Sequence, residues 1–133
     1  MMKRNESSEQ EKKRALYHSF GYAFEGIWTG IVRERNMKIH CLAIIFVTLA
    51  GTLFEITPVE WCICLLLFGL VAGLELVNTA VEAVVDLVTE EKKPLAKLAK
   101  DTAAGAVLFA AVISVIIGCI IFLPYVLELT GKI

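Results

Sequence analysis

Between Thr102 and Leu127 the chain has no charged residue. A run that long without charge has no face to offer water and reads as a membrane span. Other absences narrow the function. Lys and Arg number 13 against 14 Asp and Glu, so the net charge is −1. With a pI near 6.1, nothing favours a nucleic-acid partner. No GxxxxGK[ST] phosphate loop occurs, and no Ser-His-Asp or Cys-His arrangement presents itself. The two histidines, His18 and His40, lack metal-ligand spacing and read as interfacial residues. The four cysteines, Cys41, Cys62, Cys64 and Cys119, sit inside apolar runs without zinc spacing, and read as small buried or lipid-facing side chains. Residues 1–14 are mostly polar and contain no apolar segment of the kind a secretory leader needs.

What is present is apolar and arranged in blocks. Apolar residues make up 57% of the 133, and the mean hydropathy is +0.70. That length allows one domain, and the pattern predicts an all-α membrane protein with an N-terminal interfacial helix and three transmembrane helices. Residues 1–13 read as a solvated, disordered tail. Residues 14–35 carry Leu16, Phe20, Phe24, Ile27 and Ile31 at helical spacing, an amphipathic stretch too polar to span. The spans are expected at 37–54, 59–88 and 102–127. The first is short, roughly 27 Å at 1.5 Å per residue. Glu55-Ile56-Thr57-Pro58 reads as a tight turn, and Gly69 and Gly73 form a GxxxG that permits close helix packing. A charged connector is expected from Thr89 to about Lys100, with Pro94 interrupting any helix there.

Basic residues precede the first span and fill the second connector, whereas the first turn has none and the final tail only Lys132. The positive-inside rule then places a multi-pass protein in the cell membrane with its N-terminus cytoplasmic and its C-terminus outside.

The second span ends in a polar stripe. At roughly 100° per residue, Glu75, Asn78, Glu82 and Asp86 share one narrow helical face. Acids at a bilayer are costly and mark a functional site by default. Glu75, the deepest, reads either as a packing acid kept neutral by burial or as a general base at the lipid–water border. Asn78 can orient that carboxylate or bond a neighbouring helix. Glu82, paired with another acid, suits Mg²⁺, which prefers oxygen ligands shared with phosphates. Glu34 is the other acid expected at that depth, although between Arg33 and Arg35 its plainer reading is a solvated partner of those arginines. Asp101 suits the N-cap of the third span, and Lys100 can meet a phosphate. A stripe of acids also lines ion pathways, so a small ion or proton transporter is the competing class.

Glu75-x-x-Asn78-Thr79-Ala80-x-Glu82-x-x-x-Asp86, followed by Ala99-Lys100-Asp101, resembles the signature of the prokaryotic diacylglycerol kinase family. Residues 34–40 and 94–107 are more similar to its Gram-positive branch, mostly undecaprenol kinases. The resemblance implies a homotrimeric lipid kinase with active sites at the cytoplasmic interface, each shared between protomers. It implies ATP as co-substrate, Mg²⁺ as cofactor and a membrane lipid alcohol as substrate, undecaprenol or, alternatively, diacylglycerol. Residue by residue it makes Glu75 the catalytic base that meets the lipid hydroxyl, and Glu34 and Glu82 the metal ligands, which favours the metal reading of Glu34. It also places Tyr22, Glu34, Asn78, Glu82, Asp86, Glu91, Lys100 and Asp101 at the nucleotide. The chain departs from the family at Lys92-Lys93, where Tyr-His is usual, and at Ala15, where arginine often stands.

Overall fold

The computed structural model describes the backbone of residues 2–131 and the side chains of residues 14–131. Four helices follow in order: α1 (Met2–Arg33), α2 (Arg35–Leu53), α3 (Pro58–Val88) and α4 (Pro94–Leu129), with no strand among the described residues. The last three are long and apolar enough to cross a membrane, so this is an all-α membrane protein.

Several boundaries differ from the sequence expectation. Helix α1 begins at Met2, because Glu, Gln, Lys and Arg, which make up eight of the eleven residues 3–13, are good helix formers and no Gly or Pro intervenes. The side chains of residues 2–13, and with them the expected solvation of that tail, lie outside the described set. Pro94 starts α4 rather than interrupting a connector: at the first helical position its missing N–H is not needed. The connector therefore shrinks to Thr89–Lys93, and the N-cap is Lys93 rather than Asp101. Pro124 lies inside α4, which continues past the expected end at residue 127.

Helices α1 and α2 are separated by Glu34 alone, whose backbone is extended at φ −83° and ψ 125°. Glu34 N–H still donates to the Gly30 carbonyl at 3.0 Å, and Lys38 N–H donates to the Glu34 carbonyl at 3.3 Å. The chain thus changes direction through one residue with little loss of backbone bonding. Gly30 seats α1 on α3: a Cβ there would lie 2.6 Å from Leu76 Cδ2.

The opposite end of the bundle is closed by a tight turn. Ile56 N–H donates to the Gly51 carbonyl at 3.1 Å and Glu55 N–H to the Thr52 carbonyl at 3.4 Å, a Schellman cap with Glu55 at φ 52°. Thr57 and Glu60 then form a capping box at the start of α3, with Pro58 in its first turn. The Glu60 carboxylate also accepts from Tyr125 O–H at 2.8 Å, which ties α3 to the far end of α4. Beneath these bonds Ile56, Cys64 and Ile121 are buried, with Phe54, Trp61, Phe122 and Tyr125 packed around them.

Glu60→Ala removes the acceptor shared by Thr57 and Tyr125. The thermal unfolding midpoint in detergent should fall by a few degrees, as for loss of a cap. Whatever activity the polar stripe carries should stay near wild type below that midpoint, because Glu60 stands at the other end of α3 from the stripe.

Candidate active site

The polar stripe forms because α3 keeps its helical period from Pro58 to Val88. Glu75 is 1% exposed and Asn78 5%, the two buried polar side chains among the described residues. Glu82 is half-buried and Asp86 exposed, so burial falls steadily toward the connector. Asn78 Nδ2 donates to Glu82 Oε1 at 3.0 Å, which fixes both side chains. Thr79 Oγ1 donates to the Glu75 carbonyl at 3.0 Å and keeps its own hydroxyl out of the stripe.

The neighbouring helices complete the site. Lys100 on α4 pairs with Asp86 on α3. From α2, His40 Nε2 approaches Glu75 Oε2 to 3.9 Å. Glu34, at the break between α1 and α2, and Glu82 both lie near enough to repel the Glu75 carboxylate. A pocket of about 230 Å³ opens against Glu75, lined by Asn36, Ile39 and His40 of α2 and by Ala104, Val107, Leu108 and Ala111 of α4. Apart from Asn36, His40 and Glu75 its walls are apolar.

Two buried oxygens, Glu75 Oε2 and Asn78 Oδ1, have no hydrogen-bond partner among the described residues. Acceptors withdrawn from water and left bare are costly, and they suit a ligand that brings donors or positive charge. The acceptors Asn78 and Glu82, with Glu34 nearby, are oxygen donors of the kind a hard cation takes. Mg²⁺ commonly keeps waters and borrows phosphate oxygens, so a pair of carboxylates suffices. No cluster of three or more His, Cys, Asp or Glu side chains converges among the described residues.

Of the residues singled out in the sequence, Glu75, Asn78 and Glu82 come together, Glu34 stands close by, and Lys100 joins through Asp86. Three remain apart. Tyr22 is 71% exposed on α1 with its ring beside His18, Glu91 pairs with Lys93 in the connector, and Asp101 pairs with Lys97 within α4. Sequence reasoning gave Asn36 no role of its own and read His40 as an interfacial residue, not as a neighbour of Glu75. The available signal was their spacing of four in a helix that carries no charged residue from Ile39 to Leu53.

Membrane-length helices, a carboxylate buried against an apolar pocket and further acids toward the polar end define an integral membrane protein built for chemistry at a lipid–water border. The chain belongs to the prokaryotic diacylglycerol kinase family, whose pattern matches residues 21–122. It is accordingly a lipid kinase. It is 51% identical over 109 residues to an undecaprenol kinase of Bacillus subtilis, covering 82% of this chain and 89% of that protein. To a diacylglycerol kinase of Synechocystis it is 43% identical over 115 residues, covering 86% of this chain and 66% of that one. A diacylglycerol kinase of Escherichia coli is 28% identical over 101 residues, covering 76% and 83%.

Asn78→Leu removes a bare acceptor together with the donor to Glu82. The unfolding midpoint should hold or rise, since replacing a poorly satisfied polar group with an apolar one of similar volume is often stabilising. Phosphoryl transfer should nevertheless fall at least about tenfold, the signature of a group kept for function. A parallel fall in both would make Asn78 a packing residue.

Proposed function

We propose that this chain phosphorylates the primary hydroxyl of undecaprenol with ATP, in a Mg²⁺-dependent reaction at the cytoplasmic face of the membrane. The observation that carries this reading is the Glu75 carboxylate, 1% exposed, facing an apolar pocket between α2 and α4. The identity of 51% to the Bacillus subtilis undecaprenol kinase supports the polyprenol, rather than diacylglycerol, as the acceptor in this reading. Orientation rests on the basic residues, which gather before α2 and between α3 and α4. In the same reading the enzyme is a homotrimer with shared sites. The exposed apolar side chains of α3 and α4, among them Leu66, Val77 and Phe109, and the open Gly69 and Gly73 leave room for neighbouring copies.

Each residue has a definite task. The lipid hydroxyl rises into the pocket while its chain stays in the bilayer, and Glu75 accepts the hydroxyl proton as the oxygen attacks the γ-phosphorus. The new O–P bond forms, the bond from the γ-phosphorus to the β-phosphate oxygen breaks, and ADP leaves. Glu34 and Glu82 would hold Mg²⁺, which supplies charge neutralisation at the phosphates when bound. Asn78 keeps the Glu82 carboxylate oriented through its 3.0 Å bond. Lys100, held near Asp86, is placed to meet the phosphate charge as it develops. Tyr22, Glu91 and Asp101 are assigned to the outer part of the nucleotide site, apart from the Glu75 group.

The deciding assay measures transfer from labelled ATP by purified protein in mixed micelles, with undecaprenol and diacylglycerol offered singly and in competition. Undecaprenol should be the preferred acceptor, and chelation of Mg²⁺ should stop the reaction. Preference for diacylglycerol would keep the mechanism and replace the substrate, whereas transfer to neither would bring the transporter reading forward. Glu75→Gln should lower kcat by about 10²–10⁴-fold in a protein that remains folded. Glu82→Ala should shift the Mg²⁺ titration to higher concentration, and an unchanged titration would remove Glu82 from the metal site.

A further inference from the structure

One oxygen of the Glu75 carboxylate lacks a donor, and few groups around it can supply one. Oε2 has no hydrogen-bond partner among the described residues. On α3 itself, the Asn78 amide is engaged with Glu82, and the Thr79 hydroxyl with the Glu75 backbone carbonyl. From α4 the pocket receives Ala104, Val107, Leu108 and Ala111, none with a side-chain donor. The acids Glu34 and Glu82 add only repulsion. That leaves α2, which presents Asn36 and His40 to the pocket.

His40 is the closer match to the bare oxygen. Its Nε2 stands 3.9 Å from Oε2, about 1 Å beyond hydrogen-bond length. The His40 side chain is 17% exposed, on a helix with no charged residue from Ile39 to Leu53. An imidazole at that depth is itself costly without a polar neighbour, and the Glu75 carboxylate is the acid beside it. The two needs answer each other. We propose that His40 is a positioning residue for Glu75. Its Nε2–H closes onto Oε2, fixes the carboxylate rotamer and leaves the other oxygen free for the lipid hydroxyl.

This assignment rests on Glu75 being the base, and it adds a residue that acts through Glu75 without touching phosphate. Asn36, one turn nearer the start of α2, borders the same pocket and stands within hydrogen-bonding reach of the Glu75 carboxylate. A carboxylate with one oxygen tethered loses less orientational freedom when the substrate arrives, which benefits the transition state more than ground-state binding.

The test uses the full-length protein in detergent micelles. Long-range ¹H–¹⁵N spectra of histidine-labelled protein, assigned by comparison with His40→Gln, should show the His40 ring protonated at Nε2. A bare Nε2 would overturn the proposal. This readout needs no turnover, so it stands even if the lipid-kinase assay fails and the reading of the substrate falls with it. In kinetics, His40→Leu should lower kcat about 10–100-fold, the scale of a misplaced reacting group, with KM for ATP and lipid within about twofold of wild type. His40→Gln, which keeps an N–H donor near the position of Nε2, should recover kcat to within about threefold of wild type. A Gln variant as impaired as the Leu variant, or a Leu variant with wild-type kcat, would each remove His40 from this role. Should His40→Leu fail to fold, the Gln variant and the ring spectrum still decide.

Discussion

A carboxyl group held away from water on a membrane helix is the constraint around which this protein is arranged. Glu75 cannot be moved one residue without turning to lipid or to another helix, since each step rotates it about 100°. The surrounding structure is placed to fit it. Gly30 lets α1 lie on Leu76, the residue after Glu75, and the single extended residue Glu34 then sends α2 past the carboxylate. Helix α2 presents its polar pair, Asn36 and His40, and α4 answers with alanines that leave space rather than fill it. Substituting bulk at Ala104 or Ala111 would close the room beside the acid without touching any polar group.

The two ends of the bundle do different work. At the turn between α2 and α3, the Schellman cap, capping box, Tyr125–Glu60 bond and aromatic cluster satisfy nearly every polar group within reach. At the other end two buried oxygens are left bare. A protein selected only for stability would satisfy them or replace them with apolar groups. Rigidity at one end and unmet hydrogen-bonding capacity at the other is the expected division when a scaffold holds a site open for ligand.

Much of this was legible in the residue order. The spans follow from charge-poor runs, and the Glu75–Asp86 stripe follows from helical period alone. The pairing of Lys100 with Asp86 was not legible, because it depends on the register between α3 and α4. Nor was the His40 contact, since a lone histidine in an apolar run gives no sign of what faces it. Pro94 misled in a different way: the same residue that interrupts a helix interior suits its first turn, and only the caps on either side decide. Residues 2–13 lack an apolar face, which argued for a tail, yet their helix propensity continues α1 without a break.

Depth along the helices accounts for where the chemistry sits. At 1.5 Å per residue, Glu75 lies about 26 Å along α3 from Pro58, Glu82 about 36 Å and Asp86 about 42 Å. A hydrocarbon core of about 30 Å that begins near Pro58 therefore ends just beyond Glu75. Measured back from Leu129, Lys100 stands about 44 Å along α4, level with Asp86. Asn36, measured back from Leu53, stands about 26 Å along α2, level with Glu75. The residues thus sort by height. Glu75, the proposed base, and Asn36 fall in the last layer of a hydrocarbon core so placed, with His40 about one turn deeper, where a lipid hydroxyl can reach without leaving the bilayer. The acids and the lysine that suit a charged phosphate occupy the water beyond it. Helices α3 and α4 are longer than the bilayer requires, and the excess carries the half of the site that lipid could not hold.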